Sequence, residues 1–412
     1  MSEITTKQED KLPAEIVLLQ NGHPDLAIPL LDAKLAKDPN NWQHHVNIGI
    51  AYRLTNNFLL ALLHQNLAVQ IKPEAPQAWH NLGITNLEVG DFDASFLAHH
   101  KAHSLAPDNQ QVCLAFAYAL MREGKLELAW PLWEQARFRK SFFPMPGIPL
   151  WTGEEDLHGK KILVMYEGGY GDAIFFLRWF PELQDRGAEV YFQVPDEQGG
   201  IFQGHTWLHR VVPASAPIHP KDFDFCVSNM SLPALVGCKP EAIPMADKYI
   251  LAHPRDIETY RYVLGDGTHD FRVGICWGAE ENGVPKRSRS IKDEELEPLK
   301  GLGISWYCLF PDHALPWMSQ PGMSSWSDTA AIIHHLDAVV SVDTAVLHLA
   351  AAMGKPTYGI VPLSSDWKWS RKGEDSHWYP SLKLIRNDHP TSFAGAISAL
   401  SELLVRATRP HT

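Results

Sequence analysis

A short polar turn late in the chain has residue types that bind phosphate groups. The apolar run at residues 339–342 predicts a buried strand, and Asp343 and Thr344 follow it as favourable helix N-cap residues. The pattern after them predicts a helix that ends at Gly354 and Pro356. A helix N-terminus behind a parallel strand offers N–H groups and partial positive charge to a phosphorylated ligand. An ordinary, well-capped strand-to-helix turn explains the pattern equally well.

A glycine-rich turn earlier in the chain puts a carboxylate at the start of another helix. Residues 161–166 predict a strand and residues 173–179 a helix, with Gly169, Gly171 and Asp172 between them. Glycine lets the backbone approach a ligand closely, although the spacing is not that of the dinucleotide-binding motif. Asp172 could act on a ligand, or it could only stabilise the helix dipole.

Two arginines form part of a cationic loop in an otherwise acidic chain. Arg287 and Arg289 precede a helix that is predicted to begin near Asp293. Arginine makes paired hydrogen bonds to phosphate oxygens, whereas a solvated loop would pair the same cations with nearby carboxylates. We favour ligand binding because the loop follows a strand at residues 271–276, on the same predicted sheet edge as Asp343.

Aromatic residues also lie at predicted strand ends. Trp277 ends one strand beside a glycine turn, and Asp366 and Trp367 lie in a loop after another. Such rings can stack on a sugar or base, so Trp277 and Trp367 are candidate ligand-binding residues, and Asp366 is a further candidate beside Trp367. Packing of a lid against a neighbouring domain is equally plausible.

The first third of the chain is a repeat array. Pro39, Pro73 and Pro107 are spaced 34 residues apart, which is the tetratricopeptide period. Gly49 and Gly83 occupy the small position where two helices touch. The turn between helices carries residues that tolerate left-handed backbone, namely Gly22, Asn56, Gly90 and Gly124. The predicted repeats are 8–41, 42–75, 76–109 and 110–143.

Stacked helix pairs form a superhelix whose concave face binds extended peptides or partner helices. Asn47 and Asn81 share one position of the first helix and resemble the asparagine ladder with which the repeat domain of O-GlcNAc transferase holds protein substrates. They are therefore candidates for acceptor binding. Solvated polar residues on a helix face are the alternative.

Composition limits the function classes. The chain has 412 residues, a net charge of −12 and five cysteines without a C-x-x-C pair. An acidic chain does not favour nucleic acid or anionic membranes as partners, and at most peripheral membrane association is expected. The N-terminus lacks the apolar core of a signal peptide, so we expect a cytoplasmic protein.

The patterns do not predict a metal site. His99, His100 and His103 fall within one to two helical turns without partners at ligand spacing, so a solvated face is expected. Two D-x-D sequences, at residues 91–93 and 222–224, fit a helix cap and a strand start better than a metal. No metal and no cofactor are expected from these patterns.

Prolines divide the chain. Pro144, Pro146 and Pro149 end the helical region. The predicted domains are a repeat domain at 1–143, a linker at 144–158, and α/β domains at 159–252 and 253–412.

The three polar turns, in this order and separation, resemble those of glycosyltransferase family nine, the ADP-heptose:lipopolysaccharide heptosyltransferases. The matching segments are residues 169–174, 286–291 and 343–348. Residues 10–400 as a whole resemble bacterial fusions of tetratricopeptide repeats to such a domain, and residues 149–154 and 366–369 add to the resemblance. It implies an α plus α/β chain: a repeat solenoid followed by a GT-B fold, in which two Rossmann-like domains face a cleft. Residues 159–252 would form the acceptor side and residues 253–412 the nucleotide-sugar side.

The resemblance also implies roles. Asp172 matches the general base of an inverting, metal-independent single displacement, and Arg289 matches the cation that neutralises the departing diphosphate, with Arg287 beside it. Asp343, Thr344 and the N–H of Ala345 match the turn that holds the sugar nucleotide, with His348 one turn on. In two departures, Ala345 replaces the family's glycine and the cation is arginine rather than lysine, so the donor need not carry heptose.

The leading interpretation is a glycosyltransferase whose repeats recruit the acceptor, expected to be a protein such as flagellin or another surface polypeptide. A lipid or saccharide acceptor is one alternative. A catalytically silent sugar-nucleotide-binding scaffold and a chaperone-like adaptor that works through its repeats are the others.

Overall fold

The computed structural model describes residues 12–138, 145–238, 243–244, 247–264, 271–278, 280–281, 284–285, 289–311 and 313–408. The chain divides into two compact units, Met1–Ala119 and Leu120–Thr412. Across the described residues, no α-helix combines the length and apolar character needed to cross a membrane.

The first unit is built from antiparallel helix pairs. Its helices, the last of which continues into the second unit, are α1 (Ala14–Gln20), α2 (Pro24–Lys37), α3 (Trp42–Leu54), α4 (Phe58–Ile71), α5 (Pro76–Glu88), α6 (Phe92–Leu105) and α7 (Gln110–Arg122). Equivalent helices such as α3 and α5 begin 34 residues apart, as the repeat period predicts. The four predicted turn residues have left-handed backbone, with φ of 76° at Gly22, 61° at Asn56, 80° at Gly90 and 70° at Gly124. The repeat prediction is confirmed.

Glycines permit close packing within each helix pair. A Cβ atom at Gly83 would lie 2.7 Å from Cε1 of His99, and one at Gly49 would lie 2.7 Å from Cγ of Gln65. His99 and Gln65 are both buried, and they occupy equivalent positions of neighbouring repeats. The predicted solvated face is therefore wrong for His99, because its imidazole fills the space that Gly83 leaves open.

Substitution of Gly83 tests this packing. We expect Gly83→Ala to lower the free energy of unfolding by about 1–3 kcal/mol, because the added methyl group overlaps the His99 ring. Urea unfolding followed by circular dichroism measures the loss. In a His99→Ala background, which makes room for the methyl group, the same substitution should cost far less. An equal cost in both backgrounds would contradict the contact.

The second unit begins with the end of α7 and with α8 (Leu126–Phe138), followed by a four-stranded parallel sheet. Its strands are β1 (Lys161–Met165), β2 (Glu189–Val194), β3 (Arg210–Pro213) and β4 (Phe225–Ser228), in the order β3-β2-β1-β4. The helices of this part are α9 (Tyr170–Phe176), α10 (Phe180–Asp185) and α11 (Leu232–Val236). We call it the first sheet domain.

A second parallel sheet of five strands follows helix α12 (Pro254–Leu264). Its order is β11-β10-β9-β5-β8, and we call this part the second sheet domain. The strands are β5 (Arg272–Cys276), β8 (Ser305–Cys308), β9 (Ala338–Val342), β10 (Thr357–Val361) and β11 (Leu382–Arg386), while β6 (Glu280–Glu281) and β7 (Val284–Pro285) form a separate antiparallel pair. The helices are α13 (Trp326–His335), α14 (Ala345–Ala352) and α15 (Ala394–Ala407).

The predicted fold class, helical repeats followed by parallel α/β sheets, is confirmed. Strand β9 lies at the centre of its sheet, and all five of its residues are buried, which explains its continuous apolar run. The helix predicted near Asp293 is instead a 3-10 helix at Asp293–Leu299, which contains Pro298. Proline lacks the N–H that a longer α-helix would need.

Helix α8 packs as part of the α/β structure. The ring of Trp130 makes edge contacts with Phe176 and Trp179, which follow β1. Arg137 is 3 % exposed and forms an ion pair with Glu167, at the end of β1. The last helix of the predicted repeat domain therefore belongs to the compact unit that holds both sheets.

A buried arginine joins the two sheet domains. Arg178 is 0 % exposed and donates to the backbone oxygen of Trp378 at 2.9 Å and to the hydroxyl of Tyr249 at 3.2 Å. Its guanidinium also stands 4.6 Å from the centre of the Phe175 ring and 4.7 Å from that of Tyr379. A buried cation is costly without such partners, so these contacts restrict separation of the two domains.

Candidate active site

The glycine-rich turn after β1 fixes the position of Asp172. Its Oδ2 atom accepts a hydrogen bond from the N–H of Gly169 at 2.9 Å. Gly168 has a φ of 91°, and a Cβ atom there would lie 2.7 Å from the same oxygen. Asp172 thus closes the first turn of α9, and its side chain keeps 26 % of its surface exposed.

Gly171 brings the two sheet domains into contact at the N-termini of α9 and α14. A Cβ atom at Gly171 would lie 2.7 Å from Cδ2 of His348 and 3.4 Å from Cα of Ala345. Any larger residue would push the two helices apart. The structure therefore brings together residues that the sequence places in two separate predicted turns.

The turn after β9 joins Asp343 to the predicted cation. Nη1 of Arg289 donates to the backbone oxygen of Asp343 at 3.1 Å and lies 3.5 Å from its Oδ2 atom. Thr344 is the N-cap residue of α14, but its hydroxyl contacts Oγ of Ser341 at 3.0 Å rather than capping the helix. Asp343 is 5 % exposed and Arg289 keeps 32 % of its side chain exposed, so the arginine can reach a ligand. Arg287 lies outside the described residues.

Lys368 joins Asp172, Asp343, Arg289 and Asp366 in one charged cluster. The sequence did not single it out. Its Nζ atom lies 3.1 Å from Oδ1 of Asp366 and 3.4 Å from Oδ1 of Asp172. The side chain is 10 % exposed and crosses from the second sheet domain to the helix that follows β1. The available signal was a lysine between two tryptophans in a loop that follows a strand.

The charged groups of this cluster shift one another's pKa values. Burial lowers the pKa of Lys368, but the carboxylates of Asp366, Asp172 and Asp343 raise it by more, so the ammonium form is favoured. Burial opposes ionisation of Asp366, yet Lys368 holds the pKa of that carboxyl below its ordinary value. Burial and the nearby Asp366 raise the pKa of Asp343, against the opposing effect of Lys368 and Arg289.

His348 is a neutral, buried part of the site. Its Nδ1 atom lies 2.9 Å from the hydroxyl of Tyr379, and its ring packs 5.2 Å from that of Trp369. Burial, together with the cations Lys368 and Arg178, lowers the pKa of His348 well below its ordinary value. The imidazole is therefore uncharged at neutral pH.

The two predicted aromatic ligand-binding residues lie in packed surroundings. Trp277 is 2 % exposed, contacts Phe310 and donates its indole N–H to Asp293 at 2.8 Å. Trp367 is also buried, and its ring makes edge contacts with Phe175 and Trp378.

The predicted acceptor residues lie in the first unit. Asn47 and Asn81 are half-buried at equivalent positions of α3 and α5. The amide of Asn81 donates to the backbone oxygen of Gln77 at 2.9 Å.

Within the described residues, no group of three or more His, Cys, Asp or Glu side chains is arranged to hold a metal ion. The two D-x-D sequences have structural roles: Asp91 caps α6, and Asp224 accepts a hydrogen bond from the N–H of Lys161. All five cysteines lie within the described residues, where they are buried and form no disulfide with one another.

One comparison with known proteins matches the region that contains the Asp343 turn and Lys368. Residues 322–373 match the model of Glycosyltransferase family 9 (heptosyltransferase). Over this segment the chain is similar to that family.

Other proteins are similar to part or most of this chain. Protein FlbA of Caulobacter vibrioides is 23 % identical over 400 residues, which cover 87 % of this chain and 66 % of FlbA, so this chain spans slightly less than two thirds of that protein. The crystal structure of a glycosyltransferase of family 9 from Veillonella parvula is 9 % identical, with a TM-score of 0.41, and the match covers 57 % of this chain and 88 % of that one. MamA is 20 % identical with a TM-score of 0.28 over 33 % of this chain and 77 % of its own.

The lowered pKa of His348 predicts an acid-sensitive fold. The ordinary pKa of histidine is about 6.5, so below that value the unfolded chain binds a proton that folded His348 does not. Stability from this residue is full above pH 6.5 and falls as the pH decreases towards the folded pKa.

We expect His348→Asn to lose less stability than the wild type between pH 6.5 and 5.5, by up to about 1 kcal/mol, in urea unfolding. His377→Asn, at an exposed position, is the control and should keep the wild-type dependence. An unchanged dependence in His348→Asn would contradict the burial of a neutral imidazole.

Proposed function

We propose that this protein is an inverting, metal-independent glycosyltransferase of the GT-B type, which transfers a sugar from a nucleotide-sugar to an acceptor recruited by its repeats. We propose a protein acceptor, such as flagellin or another surface polypeptide. The observation that carries the proposal is the contact of α9 with α14 at Gly171 and His348. It sets the carboxylate of Asp172 beside the turn and cations that fit a sugar diphosphate.

The proposed reaction is a single displacement. Asp172 accepts the proton of the acceptor hydroxyl while the acceptor oxygen bonds to the anomeric carbon. The bond from that carbon to the diphosphate oxygen breaks on the opposite face, and the nucleotide leaves with the electron pair. The sugar is transferred with inverted configuration, and the proton remains on Asp172 until solvent removes it.

The donor fits the second sheet domain. The N-terminus of α14 follows the central strand β9, where N–H groups and the helix dipole favour a phosphate. Arg289 uses one N–H group on the Asp343 backbone, and a guanidinium has five, so further donors remain for the diphosphate. We propose that this cation replaces the divalent ion that other glycosyltransferases use.

The repeats fit a peptide acceptor. Helices α3 and α5 pack beside each other in consecutive repeats, so Asn47 and Asn81 repeat at a regular step along the array. Amides at such a step can bind the backbone of an extended peptide independently of its side chains.

The first test separates donor binding from transfer. A thermal-shift screen with ADP-, UDP-, GDP- and CMP-sugars should find one nucleotide class that raises the melting temperature, because a ligand that binds only the folded state stabilises it. With that donor, Asp172→Asn should keep the shift and lose about 10²–10⁴-fold in transfer rate, as expected for loss of a general base.

Two controls accompany this test. Asp343→Ala, checked for its fold by circular dichroism, should lose the donor-induced shift, and EDTA should leave the wild-type rate unchanged. Full transfer by Asp172→Asn would disprove its role as base, and inhibition by EDTA would disprove metal independence. If no donor gives a shift, the scaffold alternative replaces the proposed enzyme.

The acceptor proposal has its own test. Replacing Asn47 and Asn81 together with Ala should slow transfer to a protein acceptor about 30-fold, because two hydrogen bonds of roughly 1 kcal/mol each are lost. Release of nucleotide to water should not change. Asn66→Ala is the matched control, because Asn66 is exposed on α4 and bonds only to its own helix. A wild-type rate in the double variant would contradict acceptor binding at these amides.

A further inference from the structure

We propose that Lys368 is a positioning residue for Asp172. Residues of α7, α8 and the turn between them hold Lys368 in place through the loop at residues 364–371. We call these residues the Lys368 loop. The inference rests on the proposed function, because it assigns Lys368 a role in aiming the base of that reaction.

The first step is the geometry around Asp172. Its Oδ2 atom is held by the N–H of Gly169, and its Oδ1 atom lies 3.4 Å from the Lys368 ammonium. Each oxygen has a partner from a different sheet domain, so the plane of the carboxylate is set. A carboxylate has about four lone-pair sites, so it can still accept a proton from an acceptor hydroxyl.

The second step is how Lys368 is itself held. Its side chain is nearly buried, and Asp366 binds both its ammonium and its backbone N–H at 3.1 Å. The ammonium lies 5.5 Å from the centre of the Phe175 ring and 5.3 Å from that of Trp367. A flexible lysine restrained in this way acts as a fixed charge.

The third step is that the Lys368 loop is attached to the helices that precede the first sheet. Arg371 forms an ion pair with Glu123, at 2.7 Å from Oε1 and 3.0 Å from Oε2. Nε of Arg122 lies 3.3 Å from the backbone oxygen of Ser365. These contacts bracket Lys368 on both sides along the chain.

An aromatic contact also joins α8 to the Lys368 loop. The ring of Trp130, on α8, meets that of Trp367 edge-on at 5.4 Å between ring centres. Helix α8 therefore supports the residue next to Lys368.

Backbone strain supports a loop held by its surroundings. Ser370 has a φ of 55° and a ψ of −178°, a conformation found almost only in glycine. Such a conformation persists where neighbouring contacts determine it, and here the guanidinium of Arg386 donates to the backbone oxygens of Trp369 and Ser370.

The consequence is that the rate depends on Lys368, which contacts Asp172, and on Glu123, which acts on Lys368 through the loop. Removing the ammonium, or loosening the loop at Glu123, leaves donor binding intact but lets Asp172 turn away from the reacting hydroxyl. Misplacement of a reacting group by about 1 Å costs up to about 100-fold in rate.

The test measures kcat and KM for nucleotide release from the donor found in the thermal-shift screen, with water as acceptor. We expect Lys368→Met to lower kcat about tenfold to 100-fold with little change in the KM for the donor. Lys368→Arg should recover most of that loss, and Glu123→Gln should lower kcat by a smaller factor. Lys300→Met and Glu402→Gln, at exposed ion pairs elsewhere, should match the wild type.

Melting temperatures, measured without substrate, test the ion pair independently of enzyme activity. The melting temperatures of Lys368→Met, Asp172→Asn and the double variant form a mutant cycle. We expect the double variant to lose less than the sum of the two single losses, because the second substitution removes a partner that is already absent. Additive losses would overturn the ion pair.

The outcomes also separate this inference from the proposed function. If the wild type releases nucleotide but Lys368→Met keeps its kcat, the positioning role is wrong and the proposed function stands. If the wild type acts on no nucleotide-sugar, the proposed function fails and the role of Lys368 fails with it.

Discussion

The close approach of Gly171 to His348 is the constraint on which the candidate site depends. It allows the helix after β1 and the helix after β9 to meet at their N-terminal turns, which carry Asp172 and the Asp343 turn. A side chain at position 171 would separate the two sheet domains at this point. Asp172 and the Asp343 turn would then no longer share one site.

Charge balance follows from that contact. Bringing the two domains together concentrates the carboxylates of Asp172, Asp343 and Asp366 around the ammonium of Lys368. Lys368 and Arg289 offset the repulsion between these carboxylates. The carboxylates raise the pKa of Lys368, while burial and Asp366 raise the pKa of Asp343. A buried cluster of this kind is stable only while its members stay paired, which gives it a well-defined geometry.

Helix α8 and the end of α7 belong structurally to the unit that holds both sheets. Arg137 pairs with Glu167 behind β1, while Glu123 and Trp130 hold the Lys368 loop. This explains why the compact unit begins at Leu120, inside a helix that the repeat period assigns to the array. The repeat pattern records sequence similarity between helices, whereas packing decides which helices belong together.

The sequence by itself determined the period of the repeats, the strand-turn-helix character of the turns that hold Asp172 and Asp343, and the parallel sheets, because these depend on local patterns of apolar residues, glycine and capping residues. Only the tertiary structure decided that Gly171 faces His348, that Trp277 and Trp367 serve packing, and that Lys368 reaches Asp172. Those contacts join residues far apart in the chain. Their distances depend on how two separately patterned sheets pack, which no local pattern encodes.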